Sequence, residues 1–600
     1  MGAFNPSVLT EKGQNLVAKS LAGKCEITFT KIAVSEDRLS SSAYKLVHIG
    51  TIKQVERTVS VTAQDDNRVK VGASFSNQNL SQGYYIRNIG LYAQDPDEGE
   101  ILYSVAIADE STATADWMPP FSSIGVSTLM VNIITAVSNA SSVNVVIDPT
   151  ANATVAQVLE LQRQIDGVSD FVGYDEDVIY GVEIDFENKS ITRIAGAEYL
   201  TEGIDFNNLA PWGGRKRCIL TDEGKVIAYY GDSGYTESGA LTEAVTIGGT
   251  TYPIGTSVQV MVEQPIFYIK AVPVKAKNAT SGKGKQYVKG RFYISPTPKN
   301  GFTIPRAFYD DNGIPQNKIY LSAYEGSAQK ADGSYIMTDN AGITAGNVNS
   351  FKVASIAGVK PMSGKSDFLD RGMARTLANN RGEGWQLHSL FAMAVTEWLF
   401  MIEYASLDPQ RKVGLGVCTL IDDEVSNSSV ITGATTSLGN GSGIPLGGDD
   451  GKCSVTYRGE ENLWGNIWTW LDCVNIYAKG VNEVWVPKVG TAPTDVLTGT
   501  NEYDCLAVYA SHSSGFISAF GIDAKYPEIL IPTEANGVDT FTDYVYQYTN
   551  FEGILGALFG VKWSSGSRCG FSLAFDVSST HYKRDVGCRL LYVPQSTKTI

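Results

Sequence analysis

The chain has 600 residues, of which 43% are apolar and 19% charged, with 60 glycines, 30 tyrosines and 22 phenylalanines. This length exceeds what one hydrophobic core can organise, and the composition excludes a disordered chain, so we expect about three or four β-rich globular domains. The formal net charge of −16 argues against a nucleic-acid partner, whose phosphates would be repelled, and against a polybasic membrane anchor.

The amino terminus lacks the pattern of an exported or membrane-inserted protein. MGAFNPSVLTEKGQ has no basic stretch leading into an apolar run, and no segment approaches about 18 uninterrupted apolar residues. We therefore expect synthesis and folding in a cytoplasm and no membrane insertion. The eight cysteines contain no C-x-x-C pair, and none of the four histidines lies at ligand spacing, so neither a metal nor another cofactor is predicted. Free buried thiols are expected, with one or two disulfides after residue 400 as the alternative.

The first 150 residues show the alternation of an α+β domain. A helix is predicted at residues 10–22, where Thr10 can cap the amino end and Gly23 can end the helix. The turn-forming run Asp95-Pro96-Asp97-Glu98-Gly99 predicts a hairpin between two apolar strands. The predicted strands of this region are 25–32, 69–76, 86–93, 101–108, 126–136 and 143–147.

Two stretches of this region resemble the N-terminal domain of phage tail-collar fibre proteins. They are NPSVLTEKGQNLVAKSLAGKCEITFTKIAVSED and YYIRNIGLYAQDPDEGEILYSVAIAD. In that family the domain joins a fibre to the baseplate of a contractile tail. The resemblance implies that residues 1–150 attach to baseplate proteins and that the chain is located in a virion tail, of a phage or of a phage-tail-like particle.

Residues 151–169 are predicted to form a helical linker. Val155, Val158 and Ile165 follow helical spacing, with Gln162 as a polar interruption. Two heptads are too short to hold a coiled coil alone. The segment is therefore either a plain linker or, supported by neighbouring contacts, the threefold axis of a homotrimeric fibre.

Residues 170–289 are predicted to form a small β-rich domain that contains the basic motif PWGGRKRC at 211–218. A phosphate-binding loop would require a strand before it and a long helix after it. The residues that follow, ILTDEG, indicate a turn instead, which excludes nucleotide binding. We expect a tight turn in which Arg215 and Arg217 pair with acidic neighbours.

Residues 290–600 carry the strongest helical pattern, RGEGWQLHSLFAMAVTEWLFMIEYAS, after a weaker helix at 365–379. The apolar positions repeat at i, i+3, i+4 and i+7 and then on every side, which predicts a helix buried in the interior. His388 is interpreted as an interior or edge residue of this helix rather than a base. Three tryptophans at 464, 468 and 470 either fill the core, the favoured interpretation, or stack on sugars.

The last fifty residues alternate in the manner of a half-buried strand between 568 and 577. Five apolar residues, from Cys569 to Val577, share one face. Arg568, Gly570, Ser572, Ala574 and Asp576 share the other. A closing strand is predicted at 586–593.

Six further stretches resemble the variable tail proteins that phage retroelements diversify, which have a C-type-lectin-like fold. These stretches are PWGGRKRC, FYISPTPKNGF, IYLSAYEGSAQ, RGEGWQLHSLFAMAVTEW, ENLWGNIWTWLDCVNIY and DVGCRLLYVP. The resemblance covers about residues 170–600 and implies that residues 290–600 form a receptor-binding domain with a fixed scaffold and variable surface positions. The implied receptor-binding residues are Trp563, Ser564, Ser565, Ser567, Arg568, Ser572, His581 and Tyr582. The Glu-Pro-Asn and Gln-Pro-Asp motifs of calcium-dependent lectins do not occur.

The predicted protein is thus an α+β, multidomain tail fibre. It has an attachment domain, a helical linker, a small β-rich domain and a C-type-lectin-like domain that binds a bacterial surface receptor, either a glycan or a protein. No catalytic residue is predicted. One alternative is a glycan-degrading tail enzyme, but its candidate carboxylates at 422–424 and 449–450 lie in segments whose composition indicates solvated turns. The other is a non-phage surface adhesin, against which the missing export signal argues.

Overall fold

The computed structural model describes residues 4–136 and 178–596, apart from 40–41, 58–59, 66–67, 79, 111–114, 122–127, 446, 497–500 and 549–550. The chain divides into two compact units, Met1–Gln164 and Ile165–Ile600. The linker helix predicted at 151–169 and the strand predicted at 143–147 lie outside the described residues.

Unit 1 begins with helix α1, Glu11–Leu21, as predicted. The Thr10 hydroxyl caps the helix by accepting a hydrogen bond from the Gly13 amide at 3.0 Å. Leu16 is buried in the core of the unit. Gly23 follows the helix with φ +68°, a conformation that glycine adopts without strain.

The strands of unit 1 form a five-stranded sheet in the order β1-β8-β7-β2-β3, a three-stranded sheet β10-β5-β4, and the pair β6-β9. Their bounds are β1 Val8–Leu9, β2 Thr28–Ser35, β3 Ile52–Glu56, β4 Ser60–Asp65, β5 Arg68–Ser76, β6 Tyr84–Ile86, β7 Asn88–Asp95, β8 Gly99–Ile107, β9 Asp116–Met118 and β10 Thr128–Ala136.

The predicted hairpin is the centre of the five-stranded sheet. Strands β7 and β8 pair antiparallel from Asn88 opposite Ile107 to Asp95 opposite Gly99. The Asp95 carboxylate accepts the Asp97 and Glu98 amides at 2.8 and 3.1 Å, which closes the turn. The sequence therefore predicted both the strands and the turn chemistry.

Unit 2 is mostly β, with short helices and long loops. Its strands are β11 Tyr180–Asp185, β12 Ser190–Ala195, β13 Lys216–Leu220, β14 Val226–Tyr229, β15 Val245–Ile247, β16 Thr250–Tyr252, β17 Gln259–Pro265, β18 Tyr268–Asn278, β19 Lys285–Ser295, β20 Lys318–Ser322, β21 Ser327–Lys330, β22 Phe351–Ala354, β23 Trp385–Leu387, β24 Thr456–Tyr457, β25 Glu460–Glu461, β26 Trp468–Lys479, β27 Asn482–Pro487, β28 Tyr503–Ala510, β29 Gly515–Phe516, β30 Ala519–Gly521, β31 Ile531–Glu534, β32 Tyr544–Gln547, β33 Glu552–Phe559, β34 Leu573–Val577, β35 Val586–Gly587 and β36 Leu590–Tyr592. Its α-helices are α2 Gly364–Asp367, α3 Arg371–Asn379, α4 Leu390–Tyr404 and α5 Pro409–Lys412.

Three large sheets organise unit 2, and two of them cross the predicted boundary at residues 289 and 290. The first sheet runs β12-β11-β19-β30-β31 with β18 on β19, and the second runs β14-β13-β17-β20-β36-β23. The third runs β28-β27-β26-β33-β34-β32-β29 with β35 on β26. Because β11 and β13 pair into sheets with strands from the far end of the chain, residues 170–289 share their core with residues 290–600, which corrects the predicted division.

Helix α4 is the buried centre of unit 2, as the apolar pattern predicted. All of its residues, from Leu390 to Tyr404, are buried, and the Ser389 hydroxyl caps it by accepting the Ala392 amide at 3.2 Å. The predicted helix extended further towards the amino end. There the structure has strand β23 instead, in which Trp385 pairs with Tyr592. This long-range pairing overrides the local helical spacing.

The basic motif at 211–218 docks on this helix. The Trp212 ring donates a hydrogen bond to the Leu399 carbonyl of α4 at 2.9 Å. Arg215 forms a buried ion pair with Glu460, and Arg217 pairs with Glu237 at 3.3 Å. The structure thus contains the predicted turn with acidic partners for both arginines.

The observed elements agree with the predicted α+β, multidomain class, with few helices and many strands. None of the helices in the described ranges has the length and apolar character needed to cross a bilayer.

Candidate functional site

Five of the eight predicted receptor-binding residues line one open cleft of unit 2. Ser564, Ser565, Ser567 and Arg568 come from the loop after β33, and His581 comes from the loop after β34. The cleft has a volume of about 710 Å³, a size typical of small-molecule sites. Its other lining residues are Trp468, Tyr546, Leu558, Lys562, Gly566, Ala574, Asp576, Val577, Lys583, Asp585 and Val586.

The floor of the cleft is one face of the eight-stranded sheet. Ala574 of β34 lies opposite both Tyr546 of β32 and Leu558 of β33, so these three side chains form a row across the strands. The small Ala574 side chain leaves depth between its larger neighbours. The Trp468 ring lies 5.5 Å from the Tyr546 ring, edge to face, and completes an aromatic end of the floor.

Asp422 organises one wall of the cleft. Its carboxylate pairs with Lys562 at 2.8 Å and with Arg584 at 2.6 Å, and it accepts the Ser564 hydroxyl at 3.3 Å. Burial would raise the pKa of Asp422, but hydrogen bonds from Lys562, the Glu424 amide and Arg584 outweigh it and hold the pKa well below its usual value. The charged carboxylate thus fixes three segments of the loops around the cleft.

Arg568 stands at the aromatic end of the cleft. It is exposed, and its guanidinium lies 5.1 Å from the centre of the Tyr544 ring, a cation–π distance. The pKa of Arg568 is raised, chiefly by a hydrogen bond to the Tyr546 side chain, so the guanidinium stays charged. Tyr544 and Tyr546 are 4.6 Å apart, which gives this cation a platform of two rings.

His581, Lys583 and Asp585 also line the cleft. Burial and the charge of Lys583 lower the pKa of His581, so its ring is neutral at pH 7. Asp585 pairs with Lys562 at 3.0 Å and so has a cation of its own. A neutral imidazole, serine hydroxyl groups and charged side chains therefore line the same cleft.

Trp563 does not lie at the surface, contrary to its prediction as a receptor-binding residue. Its side chain is 0% exposed and packs with Val417 and Ile467. Cations lie over its ring, with Arg584 at 5.5 Å and Lys562 at 5.9 Å. Burial of the large ring makes Trp563 part of the scaffold beneath the wall.

Ser572 is also buried, so a second predicted receptor-binding residue does not lie at the surface. Its hydroxyl donates to the Arg568 carbonyl at 2.7 Å and accepts the Tyr544 amide at 2.9 Å. The reason is geometric. Alternation holds only over β34, and the preceding residues Gly566–Arg568 form a 3-10 turn that breaks the strand register.

Tyr582 is exposed, as predicted, but lies outside the cleft lining. Its side chain is 45% exposed, and its ring lies 5.0 Å from the ring of Phe368, which is 53% exposed. These two rings form an exposed apolar patch, in which Tyr582 directly follows His581 in the chain.

The sequence prediction missed the residues that build the cleft. Asp422 and Arg584 are far apart in the chain and carry no local pattern that would join them. Trp468 offered a weak signal, because its spacing from Trp464 and Trp470 fitted no single face. Trp464 and Trp470 are fully buried, as favoured, whereas Trp468 is half-exposed in the cleft.

Four of the five carboxylates considered for catalysis have structural contacts, and the fifth, Glu424, is exposed. Asp422 is the ion-paired residue described above rather than a solvated turn. Asp449 and Asp450 accept the Leu415 and Lys452 amides at 2.8 and 3.0 Å. Within the described part of the chain, no group of three or more His, Cys, Asp or Glu side chains is arranged to hold a metal ion.

His388 is an interior residue, as interpreted, but it differs in detail from the prediction that it belongs to the helix. It precedes α4 rather than lying on it, is 1% exposed, and stacks on Phe559 at 5.8 Å. Neither ring nitrogen has a hydrogen-bond partner among the described residues. Burial, aided by the charge of Arg589, lowers its pKa to about 3, so the ring is neutral at pH 7.

The solved structures similar to this chain include two variants named Major Tropism Determinant. The chain is similar to "Major Tropism Determinant I1 Variant", with 11% identity and a TM-score of 0.21, covering 69% of this chain and 94% of that one. "Major Tropism Determinant P3c Variant" gives 11% identity and a TM-score of 0.20, covering 70% and 84%. A likeness this remote specifies neither a fold nor a function. No curated protein matches the chain.

The amino-terminal region has a family match. Residues 3–156 match the model described as "Phage tail-collar fibre protein, N-terminal". The match covers the predicted attachment domain and agrees with the observed order of helix, strand and hairpin in unit 1. The chain therefore carries a domain of the phage tail-collar fibre type at its amino end, as its sequence predicted.

Proposed function

We propose that the chain is a receptor-binding tail fibre. Residues 1–150 attach it to the baseplate of a phage or phage-tail-like particle, and the cleft of unit 2 binds a bacterial surface receptor. The assembly is a homotrimer, in which three linked sites gain avidity from their effective concentration. The chain acts by binding and not by catalysis.

The observation that carries this proposal is the convergence of Ser564, Ser565, Ser567, Arg568 and His581 on one open cleft. These residues come from two loops, and ion pairs to Asp422 and Asp585 brace the walls behind them. Loop positions on a rigid sheet accept substitution without loss of the core, which suits a surface that must change its partner.

The test uses purified full-length chain and a panel of bacterial strains. Ser565→Trp places a large ring in the cleft, and Ser334→Trp places the same ring on an exposed turn outside it. We expect binding to the recognised strains to fall about tenfold or more with Ser565→Trp. Ser334→Trp is expected to bind like the unmodified chain.

A second variant tests the bracing of the wall. Asp422→Asn removes the charge that holds Lys562 and Arg584, and we expect weaker cell binding with a folded scaffold, measured by thermal unfolding. If Ser565→Trp and Asp422→Asn both bind cells as tightly as the unmodified chain does, the cleft is not the receptor site. A solution mass that is not three times that of the chain would contradict the trimer.

A further inference from the structure

Two cations of the cleft have no carboxylate partner within the described residues. They are Arg568 and Lys583, both exposed and both on the cleft lining. Two of the nearby acids are already engaged, since Asp585 pairs with Lys562 and Asp422 pairs with Lys562 and Arg584. The third, Asp576 on the floor, senses the charge of Lys583 but forms no ion pair with it within the described residues. In a chain of net charge −16, unpaired cations at one cleft create a local positive potential.

The same cleft offers flat rings beside these cations. Trp468 and Tyr546 are each half-exposed, and Tyr544 continues the aromatic surface beneath Arg568. Ring faces of this kind pack against the apolar C–H face of a pyranose, with the polar tips free to hydrogen-bond.

Hydroxyl groups complete the lining. The side chains of Ser565 and Ser567 make no hydrogen bond within the described residues, so both remain open to a ligand. Asp576, half-exposed on the floor, supplies an acceptor for sugar hydroxyls. These groups match a ligand that has hydroxyls along its body and a negative charge at one end.

We infer that the cleft binds an acidic saccharide, a pyranose that carries a carboxylate or phosphate group. The ring lies against Trp468 and Tyr546, and the anionic group lies between Arg568 and Lys583. The inference rests on the proposed function and adds the chemical class of the receptor.

The experiment measures binding of oligosaccharides to the full-length chain by calorimetry. One probe contains glucuronic acid, its matched control is the same oligosaccharide after reduction of the carboxyl groups to alcohols, and a third probe carries a phosphate on one sugar hydroxyl. We expect the acidic probes to bind, the reduced probe to bind about tenfold or more weakly, and the affinity to fall as salt rises. Whichever acidic probe binds more tightly identifies the source of the charge.

Protein variants locate the charge recognition. Arg568→Gln and Lys583→Gln are each expected to weaken the acidic probe about tenfold, because each removes a charge-assisted hydrogen bond. Lys330→Gln removes an exposed cation outside the cleft lining and is expected to change nothing.

Three outcomes overturn the inference while the proposed function stands. The reduced probe binds as tightly as the acidic one, the two cleft variants bind the acidic probes normally, or no saccharide probe binds although Ser565→Trp abolishes binding to cells. Unchanged cell binding by Ser565→Trp would instead contradict the proposed function, whatever the saccharide data show.

Discussion

The buried ion pairs around α4 and the half-exposed ion pairs of the cleft wall use the same groups in different surroundings. The Arg458–Glu403 pair has side-chain exposures of 4% and 0%, and the Arg215–Glu460 pair has 0% for both. In the wall, Lys562 and Arg584 are 25% and 16% exposed and share Asp422, which is 18% exposed. Water reaches the second set and screens it, whereas the first set depends entirely on its protein partners.

This difference in exposure distinguishes the buried scaffold of unit 2 from the wall of the cleft. A buried charge that loses its partner cannot be hydrated, so the centre of unit 2 admits little substitution. A half-exposed charge that loses its partner is partly solvated, so the wall can change without loss of the fold. We expect mutations to divide along this line, and three predictions test it, from the largest effect to the smallest.

The largest effect is expected for Glu403→Gln. The Glu403 carboxylate accepts two hydrogen bonds from Arg458, both at 2.6 Å, and one from Tyr457 at 2.9 Å. Loss of the negative charge leaves Arg458 buried and uncompensated, so we expect a loss of about 3–5 kcal/mol in the free energy of unfolding of unit 2. Urea denaturation measures it.

The control for that variant is Glu424→Gln, which changes an exposed glutamate in a loop. It is expected to leave the free energy of unfolding within about 0.5 kcal/mol of the unmodified chain. Equal stability of the two variants would remove the distinction between the buried centre and the wall.

A pH effect is expected from Glu397, another acid on α4. Burial raises the pKa of Glu397 to about 8 from a usual value of 4.5. The folded state keeps a proton that the unfolded state releases above pH 4.5, so this contribution to stability is complete below pH 4.5 and falls as the pH rises towards 8. Between pH 4.5 and pH 7 the loss amounts to about 3 kcal/mol.

Glu397→Gln tests this sign, because glutamine is neutral at every pH. Thermal unfolding at about pH 5 and about pH 7.5 should show a smaller decline for the variant than for the unmodified chain. A parallel decline for both proteins would show that Glu397 is not buried as a neutral acid.

The smallest effects are expected for two serines of the same segment. Ser572→Ala removes the acceptor of the Tyr544 amide and should lower the free energy of unfolding by about 1–3 kcal/mol. Ser567→Ala, on the exposed turn, should change it by less than about 0.5 kcal/mol while weakening receptor binding. If Ser572→Ala instead weakened cell binding and left stability unchanged, while Ser567→Ala lowered stability, Ser572 would be an exposed receptor-binding residue.

Local sequence signals predicted the elements that depend on neighbouring residues. Thr10 and Gly23 bounded the first helix, and the run from Asp95 to Gly99 closed a hairpin, because capping and turn chemistry act over a few residues. The apolar residues on every side of α4 likewise predicted its burial. Five of the eight predicted receptor-binding residues line the cleft, and their role in binding stays a prediction.

The remaining errors come from contacts between distant segments. Strand β23 forms because Trp385 meets Tyr592, and Ser572 is buried because a turn at 566–568 shifts the chain before β34. The division at residue 289 failed because β13 and β17 pair within the same sheet as β20 and β36. None of these contacts leaves a trace in a short window of sequence.

By itself, the sequence determined the composition class, the amino-terminal domain type, the first helix and hairpin, and the segment that carries the candidate site. Only the tertiary structure decided which side chains of that segment face outward, and that Asp422, more than a hundred residues earlier, braces them. Periodicity records the local direction of a side chain, whereas burial and ion pairing depend on what the folded chain brings against it.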